Sequence, residues 1–232
     1  MSLPAPRALI FDWDNTLVDT WPVIHQALHD TFVDFNMPTW TLDESKARVR
    51  KSMRDSFPQL FGKDWVRAGD LYQQHYRAHH LDMLQPLPGA EEMLSLASKL
   101  GLPSVVVSNK KGNNLRTEVE HLAWNGWFAA IIGSDDASRD KPHPDPVHLA
   151  LEYIDLPPGP EVWFVGDSEI DLETAIACGC TAILFGDYAP ARAEFTPTHY
   201  HGFAYAMHVL NHAALSKILL SNAATPGVKL SS

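Results

Sequence analysis

Cysteine is scarce: the 232-residue chain holds two, Cys178 and Cys180, in the triplet Cys178-Gly179-Cys180. Two thiols at that spacing make no disulfide framework, and they fit neither a zinc knuckle nor a Cys-x-x-Cys redox pair; buried, reduced thiols are expected. No apolar run approaches the roughly 18 residues that a membrane span needs. The opening MSLPAPRALIF also lacks a basic stretch leading into a long apolar one, so a soluble, cytoplasmic protein is expected, with no membrane partner. Cations are outnumbered, 18 Lys and Arg against 28 Asp and Glu, for a net charge of -10. That balance argues against nucleic acid as a partner, although a local basic pocket can still hold an anion. Internal repeats and low-complexity segments are absent as well.

What is present is globular material, 45% hydrophobic and 20% charged, enough for one good core and a subsidiary domain. Short apolar runs stop abruptly at polar residues, as buried parallel strands do when they deliver a side chain to a loop. Arg7 to Phe11 stops at Asp12, Pro103 to Val107 at Ser108-Asn109-Lys110, and Val162 to Val165 at Gly166-Asp167-Ser168. Ala129 to Ile132 and Thr181 to Phe185 are weaker examples. Helical patterns lie between them, over Ala90 to Leu100, Asn114 to Leu122, Pro146 to Ile154 and Asp171 to Cys178. Strand and helix in alternation predict an α/β fold, a doubly wound, mostly parallel sheet with a Rossmann-like core. Ligands gather at the carboxyl ends of such strands, where Asp12, Ser108 and Asp167 all fall.

Residues 21–85 read differently, with Val23, Ile24, Ala27, Leu28 and Phe32 at helical spacing and no β-rich run. An all-helical insertion is expected there, hinged near Asp19 to Pro22 and at Gln85-Pro86-Leu87-Pro88-Gly89. The expected division is residues 1–20 and 86–220 as the α/β core, 21–85 as the insertion, and 221–232 as a frayed tail.

Two carboxylates at i and i+2 past a strand end, Asp12 and Asp14, can converge on one small volume and divide the work of nucleophile and proton carrier. An Asx-turn or helix cap is the structural alternative. Ser108 and Asn109 stand where a hydroxyl and backbone N–H groups can grip phosphoryl oxygens. Lys141 sits in Asp140-Lys141-Pro142-His143-Pro144-Asp145-Pro146, a loop stiffened by prolines. Asp167, with Asp12 and a carbonyl from Asp14, would form the oxygen-only site that Mg²⁺ prefers. Asp171 either supports that site or holds Lys141.

The order of these elements resembles the haloacid dehalogenase-like hydrolase superfamily, whose four motifs are matched by DWDNTLVDT, VVVSNK, Lys141 in DKPHPDP and WFVGDSEIDLETAIACG. The helical insertion after the first motif and the Ser-Asn-Lys second motif resemble its phosphoglycolate-phosphatase-like branch. The resemblance implies that Asp12 is the nucleophile of a Mg²⁺-dependent phosphatase and Asp14 its acid and base. Ser108, Asn109 and Lys141 would bind the phosphoryl group, Asp12, Asp14 and Asp167 the metal, and Thr16 and Asp171 would support them. The insertion becomes a cap that closes over a small phosphorylated metabolite, with Arg50, Lys51 and Arg54 as specificity candidates. Two departures are Asn15 where glycine is usual and Trp13 where phenylalanine is. Asn tolerates left-handed backbone, and Trp13 is expected to narrow the site.

A dehalogenase has no need of Asp14, and a receiver-type phospho-acceptor module carries its motifs in another order in a shorter chain. A sugar phosphomutase shares every core residue and stays open at this point, as does the choice between monomer and homodimer. His75 and His79, at i and i+4, have the spacing of a metal pair but no acid motif beside them. His199, His201, His208 and His212 are read into a C-terminal helical region.

Overall fold

The computed structural model describes residues 3–49, 53–187 and 198–223, with backbone alone over 53–55. The chain divides into two compact units, Met1–Val18 with Pro86–Ser232, and Asp19–Gln85.

The first unit is built on a six-stranded sheet in the order β10-β7-β6-β1-β4-β5. Its strands are β1 (Ala8–Phe11), β4 (Ser104–Val107), β5 (Ala130–Ile132), β6 (Val162–Gly166), β7 (Thr181–Phe185) and β10 (Met207–Val209). All pairings are parallel, with Phe11 beside Val106 on one side and Val165 on the other. β1, β4, β6 and β7 are buried along their whole length, which explains their unbroken apolar sequences: parallel strands covered on both faces have no polar side. Alternation sends Ile10, Val105, Val107, Phe164 and Leu184 to one face. There they join Val147 and Leu151 of α7 (Asp145–Glu152) and Leu172 and Ala175 of α8 (Glu169–Ala177) in one core. Leu9, Phe11, Val106, Trp163 and Ile183 fill the other face and are equally buried. α5 (Ala90–Lys99) and α6 (Gly112–His121) complete the connections.

Chain order runs outward from β1 in both directions, to β4 and β5 on one side and to β6, β7 and β10 on the other. The reversal leaves a crevice at the carboxyl ends of the middle strands, where open α/β sheets bind ligands. Asp12, Ser108 and Asp167 are the residues that follow β1, β4 and β6 there.

The C-terminal part differs from the sequence expectation. β8 (His199–Tyr200) and β9 (Phe203–Ala204) form an antiparallel ribbon, and β10 extends the main sheet. His199 and His208 therefore lie on strands, His201 occupies a turn, and only His212 is helical, at the start of α9 (His212–Ala223). These strands have two or three residues each, too short for a period of two to register in the sequence. Cys178 and Cys180 are free thiols, the latter buried.

The second unit is helical, with α1 (Trp21–Asp34), α2 (Leu42–Arg48), α3 (Met53–Phe61) and α4 (Trp65–Met83). The apolar spacing seen in the sequence becomes a core in which Leu28 and Phe32 of α1 meet Phe57, Phe61 and Ala68. A capping box between Thr41 and Glu44 starts α2; such caps satisfy backbone N–H groups that the first helical turn cannot. His75 and His79 face acids of α1, with Nε2 of His75 2.7 Å from Asp34 and Nε2 of His79 2.8 Å from Asp30. The pair is thus spent on joining α4 to α1. The short strands β2 (Val18–Asp19) and β3 (Gln85–Pro86) make a two-stranded ribbon. Among the described residues no helix is long and apolar enough to cross a membrane.

Candidate active site

Asp12 leaves β1 with its N–H still donating to Val165 O at 3.0 Å, so the ladder to β6 fixes where its carboxylate begins. That carboxylate meets Lys141, whose Nζ lies 2.8 Å from Asp12 Oδ1 and 2.6 Å from Asp171 Oδ1. Lys141 is buried, and an ammonium out of water persists only when paired. Asp171 is buried too, with its second oxygen accepting from Ser168 N at 3.1 Å and Ser168 Oγ at 2.6 Å. Gly166 makes room for this: a Cβ there would stand 2.4 Å from Asp171 Cβ and Cγ.

The loop after β4 reaches the same place. Ser108 is buried, and its hydroxyl accepts from Lys110 N at 3.2 Å. Adjacent strands are about 4.8 Å apart, which puts Ser108 beside the loop that carries Asp12. The Asn109 side chain donates from Nδ2 to Lys141 O and accepts from Lys141 N, both at 2.9 Å. Its side-chain amide is therefore a clamp on the lysine's backbone. Spacing along the chain hides this clamp, because the partner is 32 residues away.

Oxygens of Asp12, Asp167 and Asp171 lie within 4.8 Å of one another, the one such group of potential metal ligands among the described residues. Burial first, then the neighbouring acids Asp171 and Asp14, push the Asp12 carboxyl up to about 7 against the opposing pull of Lys141. Asp167 is driven well above the ordinary carboxylate range by burial and by Asp12 and Asp171. Acids crowded in this way, with one lysine among them, are short of positive charge, and an all-oxygen set suits a hard divalent cation. Both Asp171 oxygens accept hydrogen bonds, from Lys141 and from Ser168. Asp171 thus touches Lys141 and also stands in the acid group with Asp12 and Asp167.

The turn from Asp12 to Val18 closes through Asn15 N to Val18 O at 2.7 Å and Leu17 N to Trp13 O at 3.0 Å. Asn15 has φ +59°, the left-handed conformation that asparagine accepts in place of glycine. Thr16 is fully buried within this turn. Trp13 does not narrow the site: it is fully buried, edge-on to Trp124 and Phe128. Its indole Nε1 donates to Glu118 Oε2 at 2.7 Å. Asp14 forms an ion pair with Lys110, Oδ1 to Nζ 2.6 Å.

Lys110 and Glu118 were not among the residues singled out from the sequence. A signal existed, since Glu118 falls between Leu115 and Val119 on the apolar side of α6, and a buried carboxylate demands a buried cation. Arg50 and Lys51 lie outside the described residues, as does the side chain of Arg54.

A parallel doubly wound sheet with an acid, a hydroxyl, a lysine and further acids at its carboxyl edge defines a class of phosphoryl-handling enzymes, and comparison with known proteins agrees. Residues 9–185 match the family described as haloacid dehalogenase-like hydrolase. The chain belongs to that family, and is a hydrolase on its phosphoglycolate-phosphatase-like branch. It is 30% identical over 201 residues to a phosphoglycolate phosphatase of Chromobacterium violaceum, covering 82% of this chain and 90% of the relative. A phosphoglycolate phosphatase of Escherichia coli O157:H7 is 28% identical over 206 residues, covering 76% and 80%. Among solved structures, a hydrolase of this superfamily from Ehrlichia chaffeensis is similar with a TM-score of 0.65 and 29% identity over 95% of this chain and 99% of that one. A haloacid dehalogenase-like hydrolase from Streptococcus pneumoniae shares the fold with a TM-score of 0.74 at 21% identity, over 92% and 98%.

Proposed function

We propose that the protein is a Mg²⁺-dependent phosphatase that hydrolyses a small phosphomonoester, phosphoglycolate or a sugar phosphate, through an aspartyl-phosphate on Asp12. The observation that carries this reading is Asp12 at the end of β1, gripped by Lys141 and crowded by Asp167 and Asp171. A nucleophile needs such fixed placement, and a phosphoryl group needs positive charge around its oxygens throughout the transfer. The phosphoglycolate phosphatases among the relatives support the substrate class.

Asp12 attacks phosphorus in line, and the bond to the leaving oxygen breaks as Asp14 gives that oxygen its proton. Water then attacks the aspartyl-phosphate, its proton passes to Asp14, and inorganic phosphate leaves with Asp12 restored. Ser108 and Lys141 hold the phosphoryl oxygens, with Asn109 and Asp171 fixing Lys141. Asp12, Asp167 and the Asp14 backbone carbonyl would hold Mg²⁺, which when bound neutralises phosphoryl charge. The helical unit would select the leaving group.

The test is phosphate release from a panel of phosphoglycolate, sugar phosphates, nucleotides and pyrophosphate, with Mg²⁺ and with excess chelator. Turnover of a small monoester that needs Mg²⁺ and disappears in Asp12→Asn supports the proposal. Unchanged turnover in that variant, or in chelator, rules it out. Measuring isomer formation alongside separates hydrolysis from mutase chemistry.

A further inference from the structure

We infer that Lys110 is the positioning residue for Asp14, held in place by Glu118 and Trp13, and that this buried strut decides which Asp14 oxygen handles the proton. The inference rests on the proposed role of Asp14 as general acid. It adds three residues to the chemistry, none of which belongs to the group around Lys141.

Lys110 Nζ lies 2.6 Å from Asp14 Oδ1 and 2.5 Å from Glu118 Oε2. The same Glu118 oxygen accepts from Trp13 Nε1 at 2.7 Å. Trp13 and Asp14 are neighbours in the chain, so Trp13, Glu118, Lys110 and Asp14 form a closed ring that joins the loop after β1 to α6. Little of it touches water: the Lys110 side chain is 6% exposed and that of Glu118 is fully buried. Asp14 behaves differently at its two ends. Its Oδ1 is buried, yet its side chain as a whole is 27% exposed. The oxygen that faces Lys110 is thus shut off from water, and the exposure falls on the other atoms of the side chain.

The ring also starts from fixed backbone. Lys110 N donates to Ser108 Oγ at 3.2 Å, and Ser134 N donates to Lys110 O at 2.9 Å. A Cβ on Gly133 would meet Lys110 O at 2.8 Å and Gly112 Cα at 2.4 Å, so the two loops touch backbone to backbone. Trp13 is locked by the rings of Trp124 and Phe128, at 5.8 and 6.5 Å between centroids. A carboxyl that must reach a leaving oxygen within hydrogen-bond distance gains from losing its rotational freedom beforehand. Leaving Lys110 unpaired would be costly, so the ring forms as a unit. Trp13 is here the distinctive choice, because a phenylalanine at that position has no N–H for Glu118.

A leaving group that departs without a proton separates this role from general support. kcat/KM is measured for p-nitrophenyl phosphate and for the alkyl phosphate that the wild type cleaves fastest, in wild type, Lys110→Met, Glu118→Gln and Trp13→Phe. Loss of general-acid placement costs on the order of 100-fold. Lys110→Met should therefore lose on the order of 100-fold on the alkyl ester and a few-fold at most on the aryl ester. Glu118→Gln and Trp13→Phe should lose less, in the same direction. Equal losses on both esters, or none, overturn the inference while leaving the phosphatase reading intact. A wild type that cleaves no alkyl ester removes both. Should Lys110→Met fail to fold, Trp13→Phe decides: a loss confined to the alkyl ester supports the strut, and identical behaviour on the two esters refutes it.

Discussion

The side-chain amide of Asn109 is bonded at both ends to the backbone of Lys141, donating to its carbonyl and accepting from its N–H, each at 2.9 Å. Through this clamp the loop after β4 sets where the Lys141 ammonium stands, 2.8 Å from Asp12. Asn109→Ala removes both bonds and strands two backbone groups. It should lower kcat about 10- to 100-fold and stability by roughly 1–3 kcal/mol, read by steady-state kinetics and denaturant melts. An unchanged kcat would show that Lys141 is held adequately by Asp12 and Asp171 alone.

Gly166→Ala probes the packing under Asp171. The new Cβ would lie 2.4 Å from Asp171 Cβ and Cγ, so the strand or the helix start must shift. Overpacking of this kind costs about 1–3 kcal/mol, and the displaced Asp171 would release Lys141. A lower melting temperature together with a larger loss in kcat is expected; full activity would mean that Asp171 can shift freely.

The acid cluster predicts metal-linked stability. Removing charge from Asp167 by Asp167→Asn should weaken the increase in melting temperature that added Mg²⁺ gives the wild type. An identical increase in both proteins would place the ion elsewhere.

His212 predicts a pH dependence. Its ring is buried 4.6 Å from that of Phe185, and burial pushes it down to about 4, with the Thr16 backbone and Glu92 opposing more weakly. The unfolded chain takes up a proton near 6.5, the folded protein only near 4, so the stability is complete above 6.5 and declines as pH falls toward 4. The loss amounts to about 3 kcal/mol. His212→Phe keeps the stacking and should flatten this slope in urea melts between those pH values; the same slope in the variant would assign it to other groups.

The sequence carried the sheet well because β1, β4, β6 and β7 are continuous apolar runs ended by polar residues, and burial on both faces requires that pattern. It carried Asp12, Ser108 and Asp167 for the same reason, since each follows the end of such a run. Asn15 was legible through its tolerance of left-handed backbone, and its φ is +59°. The β8 to β10 region was not, because strands of two or three residues leave no periodicity. Side-chain partners were hidden for a different reason. The Asn109 clamp, the turn of Trp13 away from the site and the Lys110–Glu118 pair depend on which loops the sheet order brings together, and linear spacing does not encode that.

A covalent bond between Asp12 and phosphorus is expected during turnover. Acid quench during turnover of a small phosphomonoester with Mg²⁺, followed by borohydride reduction and peptide mass spectrometry, converts an aspartyl-phosphate to homoserine. Homoserine is expected at position 12 and at no other aspartate. Active turnover with residue 12 recovered only as aspartate, or homoserine at position 14, 167 or 171 instead, would contradict it.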